Sequence, residues 1–329
     1  MSNIDLGNTP TGTPPTAEEQ AQLRVAMGVG VDGVQFTSII DTLGDISWYD
    51  YDNIPSVYEG TTTPLKLYIG NKVRTINDNA FDGLFRVTNG FAPLTLPDSI
   101  ASIGAFAFRL CDAFYEDQLR LPRYVETIGE RAFENCINLR SQQLVLPRSI
   151  TEVGDYVFVG CNLGGGLTLP NTNVSYGIGA FSACGLTGGL VLPDNMTIIP
   201  DHMFQNNAGL TSITLGSLTE TIGNEAFRGC NGITGELIIP DLVTSIGEAS
   251  FSAIDDITKV TIGSSMSYLG EMAFFNCTSL SRVDCFAQVA PSHGNMVFLL
   301  CNIAEFHVPI GATGYTGGIW DAENIIYDL

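Results

Sequence analysis

Short apolar alternations recur down the chain, each an L-x-L pair closed by Pro or Gly. Leu119-Arg120-Leu121-Pro122 and Leu237-Ile238-Ile239-Pro240 are clean copies. A period of two over three residues predicts a short strand with both outer positions facing inward and the middle one outward. Eleven such strands can be counted, from Leu67/Ile69 through Leu94/Leu96 to Phe306/Val308. Pro ends many of them because it cannot donate the next ladder hydrogen bond.

Seven residues after the second strand position stands another aliphatic, usually followed by Gly: Gly104, Gly129, Gly154, Gly223, Gly247 and Gly270. Asn77 and Pro200 take that place in two units, as fits a tight corner with side chains excluded or a special φ. The next segment, x-x-A-F-x-x-C, carries a ladder of ten phenylalanines: Phe81, Phe108, Phe133, Phe158, Phe181, Phe204, Phe227, Phe251, Phe274 and Phe298. Their spacings, 27, 25, 25, 23, 23, 23, 24, 23 and 24 residues, mean one structural unit repeated ten times. The pattern predicts a solenoid: short parallel strands on one face, tight turns or short helical segments on the other. At about 4.8 Å per strand the rod is about 50 Å long. A solenoid grows by adding units, so a length of 329 residues does not imply several globular domains.

Stacking on both sides of each unit accounts for 45% hydrophobic and only 15% charged residues. Of the eight cysteines, seven (Cys111, Cys136, Cys161, Cys184, Cys230, Cys277 and Cys301) lie three residues after a ladder Phe. Leu84, Asn207 and Ile254 occupy the same place elsewhere, so the position reads as small and buried rather than disulfide-bonded or metal-binding. Cys285 reads as an inward strand residue. The spacing lacks the paired C-x-x-C of a zinc site.

The net charge of −21 repels phosphate backbones and argues against nucleic-acid binding. Six arginines between residues 109 and 148 face six acids, which predicts ion pairs between neighbouring units. No segment has the ~18–20 apolar residues of a membrane-spanning helix. The first 30 residues lack the basic start and apolar run of a secretory signal, which counts against simple export. His202, His293 and His307 fall in no nucleophile, metalloprotease or phosphate-loop motif, so neither an enzyme nor a cofactor is expected.

The I-G-x-x-A-F-x-x-C signature with its L-x-[LI]-P strands resembles the BspA-type leucine-rich repeats over about residues 65–310. The ending Phe306-His307-Val308-Pro309-Ile310-Gly311-Ala312, leading to Trp320, resembles the close of such arrays. The resemblance implies a non-catalytic adhesin or surface-recognition protein. In the last full unit Phe286 replaces Pro and Ser292-His293-Gly294 replaces the corner, which predicts distortion into a cap.

Residues 1–30 read as an extended arm plus short helix, 31–64 as an N-terminal cap, 65–305 as about ten repeats, and 306–329 as a closing strand and cap. Thr16 and Glu19 form a capping box opening a helix over 17–27. The segment from Pro14 to Gly30 resembles short pieces of bacteriophage tail-fibre and virion proteins. On that resemblance Thr16, Glu19, Leu23, Arg24 and Met27 form an assembly anchor for other virion proteins; an N-terminal solenoid cap accounts for the same helix. Phe36, Ile39, Ile40 and Leu43 are expected on one helical face of the cap.

Two binding candidates emerge. The aromatic-acid run Trp48, Tyr49, Asp50 and Tyr51 suits sugar recognition, and equally an alternating capping strand. The outward strand positions Val145, Val191 and Ile238, with intervening threonines, form a flat, weakly charged face for another subunit, a host surface protein or a glycan. The expectation is a non-enzymatic virion structural or attachment protein, with a BspA-type cell-surface adhesin as the alternative. The corresponding locations are the virion or the extracellular surface.

Overall fold

The computed structural model describes residues 37–40, 44–46, 66–69, 73–83, 96–111, 119–139, 141, 143–320 and 324–329. The proposed anchor Thr16, Glu19, Leu23, Arg24 and Met27, its helix, and the aromatic run Trp48, Tyr49, Asp50 and Tyr51 lie outside these residues. Among those described, every strand pairing between named strands is parallel, as a coil that brings each turn back in the same direction requires.

Three rows run the length of the coil. The first holds the L-x-L strands, among them Gln143–Val145, Gly166–Thr168, Thr187–Val191, Gly209–Thr214, Thr234–Ile239, Asp256–Ile262, Arg282–Cys285 and Glu305–Val308. Leu144, Leu190 and Leu237 are buried while Val145, Val191 and Ile238 are exposed, so the alternation behaves as predicted. At Leu119-Arg120-Leu121 the same in–out–in burial holds without strand pairing.

The second row is the corner. Its aliphatic forms two-residue strands such as Thr127–Ile128, Thr221–Ile222 and Ser245–Ile246, each paired in register with the next. The corner glycines prove to be a matter of space, not of special φ. A Cβ on Gly104, Gly129 or Gly247 would lie 2.5 to 2.6 Å from a backbone nitrogen of the preceding rung, and none of the three has a positive φ. Ser292–His293 keeps this pairing with Tyr268–Leu269, so the last corner is regular rather than distorted. Backbone ladder bonds, which do not depend on side-chain type, hold it in place.

The third row carries the phenylalanines and consists of turns, with no helical segment among the described residues. Residues two before and two after each ladder Phe have positive φ at all ten positions, for example Arg131 (53°) and Asn135 (54°) around Phe133. A left-handed residue on either side of the Phe turns every second N–H group along the coil axis. Arg131, Phe133 and Asn135 donate to Asp155, Val157 and Val159 of the next rung at 2.8, 3.0 and 2.8 Å. The left-handed backbone costs about 1 kcal/mol at each non-glycine residue. The hydrogen bonds between rungs offset it.

Inside, nine successive Phe pairs stack with centroids 5.1 to 5.9 Å apart and planes within 5 to 16°. The offset avoids face-to-face repulsion between ring quadrupoles. The cysteine column beside them is reduced, and all but Cys301 are buried. Burial does not leave these thiols without polar partners. Cys136, Cys161, Cys230 and Cys277 each donate to the carbonyl of the preceding rung's Phe at 2.9 to 3.2 Å.

The C-terminal end is closed on the first row. Ile325–Tyr327 adds a parallel strand to Glu305–Val308, and Trp320 and Tyr315 pack edge-on with centroids 5.0 Å apart. Tyr315 donates its hydroxyl hydrogen to the Ala287 carbonyl at 2.7 Å and touches Cys285, which faces inward as expected. At the N-terminal side, Thr37–Ile40 is a strand parallel to Lys66–Ile69, not part of a helix. Thr37, Ile39 and Ile40 are β-branched and lose less rotamer freedom in a strand. Phe36 and Leu43 lie outside the described residues.

Candidate binding surface

The middle positions of the first row line up along the coil. Val145 pairs with Thr168 and Val191 with Thr214, while Ile238 pairs with Thr261. Val145, Val191 and Ile238 are 51%, 65% and 58% exposed, so the structure places all three on the solvent face. Apolar residues thus alternate with threonines, about 10 Å apart at two rung spacings. Neighbouring polar groups hold the threonines: Gln143 Nε2 donates to Thr168 Oγ1, and Thr261 Oγ1 to Glu236 Oε1, each at 2.7 Å.

Toward the C-terminus the stripe ends in a charged cluster. Glu236, Lys259, Arg282 and Glu305 occupy one register position on four successive strands. Two cations side by side would repel, and Asp284 separates them. It lies 2.9 Å from Lys259 Nζ and 2.7 Å from Arg282 Nε. Burial of Asp284 works against its charged form, but hydrogen bonds from Arg282 and Lys259 outweigh this and hold it below the usual carboxylate range. The same contacts raise Lys259.

Asp284 and His307 hold outward middle positions, where the strand pattern places exposed side chains, yet they are only 4% and 6% exposed. His307 sits in register between Asp284 and Ile326, so the added C-terminal strand buries it. Its Nδ1 bonds Asp328 at 2.8 Å and its Nε2 bonds Glu305 at 3.1 Å. Sequence reading missed this cluster, although Glu236, Lys259, Arg282 and Glu305 are each 23 residues apart.

A predicted ion pair between units appears on the turn row, where Arg109 Nε bonds Asp82 at 2.9 Å, whereas Arg131 bonds Glu134 of its own unit at 3.1 Å. Each guanidinium also lies 5.0 Å above a ring, Phe106 and Tyr156 respectively. Such pairs brace the surface and leave little unpaired positive charge there. Among the described residues no cluster of His, Cys, Asp or Glu is arranged to hold a metal ion. No helix among them is long and apolar enough to cross a membrane.

A parallel coil of short strands, with a leucine row, a glycine corner and a phenylalanine stack, defines a leucine-rich-repeat solenoid. The chain belongs to the BspA type leucine rich repeat family, matching it in six copies over residues 54–115, 74–210 and 197–316. Among solved structures it is similar to a leucine-rich repeat protein from Bacteroides ovatus ATCC 8483. That match has 25% identity and a TM-score of 0.62, covering 75% of this chain and 61% of the other. It spans less than two thirds of that relative. A leucine-rich repeat protein from Eubacterium ventriosum ATCC 27560 has 18% identity and a TM-score of 0.52, covering 84% of this chain and 77% of the other, and shows the shared fold. No curated protein sequence matches. These matches are to leucine-rich repeat proteins of bacteria and give no support to a virion structural role. The family match begins at residue 54, so it does not bear on the virion-like N-terminal segment.

Proposed function

We propose that this protein is a non-enzymatic recognition scaffold of the cell-surface adhesin type, which binds a protein or glycan of a host surface along the first row. The observation that carries this reading is the exposed stripe of Val145, Val191 and Ile238 interleaved with threonine. A flat β-face with branched apolar side chains is already ordered, so docking a partner there costs little conformational entropy. The charged cluster of Glu236, Lys259, Arg282 and Glu305 at one end gives the surface a direction and favours one orientation of the partner. Membership of the BspA family supports the same reading.

The test is a screen of the purified chain against arrays of host extracellular proteins and glycans, repeated with the double variant Val191→Arg, Ile238→Arg. Binding to at least one array member, lost by tenfold or more in the variant at unchanged thermal stability, is the expected result. Equal binding by both proteins would sink the assignment of this face.

A further inference from the structure

Cys301 differs from the seven other cysteines. It alone is partly exposed, and it lines an open cleft of about 300 Å³ with Met296, Phe298, Leu299, Ile303 and Ile319. The cleft exists because the turn row stops here. Leu299 and Leu300, 47% and 56% exposed, stand where earlier rungs have the next turn packed against them.

One rung below lies Cys277, fully buried. Each thiol donates to a phenylalanine carbonyl of the rung before its own, Cys277 Sγ to Phe251 at 3.2 Å and Cys301 Sγ to Phe274 at 3.0 Å, so the two side chains hold equivalent places on adjacent rungs. Neighbouring rungs bring equivalent Cα atoms to about 4.8 Å, inside the ~4.4–6.8 Å window of a disulfide. Closing the bond requires the Cβ atoms to approach to about 4 Å. The last rung can make that small shift, since no further turn packs beyond it. Cys111–Cys136, Cys136–Cys161 and Cys161–Cys184 are also on adjacent rungs, but both members of each pair are buried.

We propose that Cys301 and Cys277 form a peroxide-sensitive redox pair at the open end of the solenoid, with Cys301 the reactive thiol and Cys277 its resolving partner. The Cys301 thiolate attacks one oxygen of hydrogen peroxide and breaks the O–O bond. This gives a sulfenic acid, and the departing hydroxide takes up the thiol proton as water. The sulfur of Cys277 then loses its proton and attacks Cys301 sulfur. The S–O bond breaks, and hydroxide leaves with that proton as a second water. Two thiols and one peroxide thus become one disulfide and two waters.

Acidity falls in the same sense. The neighbouring Cys277 side chain draws the Cys301 thiol below its usual value against the effect of burial. The neighbouring Cys301, together with burial, pushes Cys277 up. Cys301, the more exposed and the more acidic of the two, is therefore the first to react, and Cys277 follows once a sulfenic acid stands beside it. The resulting crosslink pins the last rung beside the cleft and is reversible by a small thiol.

The test uses the full chain. Brief native alkylation with iodoacetamide followed by peptide mass spectrometry should modify Cys301 at least about tenfold faster than any other cysteine. Hydrogen peroxide should then yield a peptide joining Cys277 to Cys301, about 2 Da lighter than the two thiols and released by dithiothreitol. In Cys277→Ser, dimedone should trap a sulfenic acid at Cys301. Alkylation of Cys285 as fast as Cys301, or oxidation of wild-type Cys301 to sulfinic acid with Cys277 still free, overturns the proposal. Both readouts use the wild-type chain, so misfolding of the variant would not rescue it.

Discussion

The side-chain oxygen of Asn207 accepts the backbone N–H of Leu186 at 3.0 Å, deep in a column where seven other rungs carry cysteine. The Asn207 amide nitrogen donates to two phenylalanine carbonyls, Phe181 at 2.7 Å and Phe204 at 2.9 Å. One fully buried polar residue thereby ties two points on the preceding rung to one on its own. Asn207→Ile, which copies Ile254 of another rung, should cost about 2–3 kcal/mol because the Leu186 N–H is left buried without a partner. Asn207→Cys keeps a donor and should cost less. Denaturant midpoints of the two variants check the order.

The corner glycines predict a steric effect with a built-in control. In Gly247→Ala the new Cβ would lie 2.6 Å from Asn224 N, a backbone atom that cannot move alone. The two rungs must separate, which should cost about 2 kcal/mol. Gly166 has nothing within 4 Å of its Cβ position, and Gly166→Ala should shift stability by less than about 0.5 kcal/mol. Equal midpoints for both variants would refute the crowding argument.

Asp284 holds Lys259 and Arg282 apart while bonding both. Asp284→Asn removes the charge that reconciles them and should destabilise the C-terminal rungs by about 2 kcal/mol. Added salt should restore part of the loss by screening the two cations. Unfolding of the variant at low and high ionic strength measures both effects.

His307 makes the C-terminal strand sensitive to pH. Burial opposes protonation of the ring, but the bonds to Glu305 and Asp328 prevail and raise His307 above its ordinary value. Between the unfolded value near ~6.5 and the raised folded value, the native state binds the extra proton. The contribution is therefore complete below about pH 6.5 and is lost as pH rises through the folded value. Hydrogen exchange at Ile325–Tyr327 should quicken across that range beyond its intrinsic pH dependence, and His307→Gln should abolish the extra acceleration.

Much of the scaffold was legible because its signals are short-range or strictly periodic. The L-x-L alternation placed Val145, Val191 and Ile238 on the solvent face, and the Phe spacing specified a stacked column. Where the reading failed, the deciding neighbour lay a full rung away. The positive φ of Arg131 and Asn135 is stabilised by carbonyls of Asp155 and Val159, so nothing local in x-x-A-F-x-x-C distinguished it from a helical turn. The helical face expected for Ile39 and Ile40 gave way to a strand because parallel pairing with Lys66–Ile69 exploits their β-branching.

By itself the sequence determined the repeat: the number of rungs, which side chains face in, and the glycine at each corner. Those follow from alternation and period alone. Only the tertiary structure decided why the glycines are needed, what the buried thiols bond, and that Asp284 and His307 are covered although their strand positions point outward. Each depends on atoms brought within a few ångströms by one turn of the coil, about 23 residues away along the chain, a contact that only the closed solenoid makes.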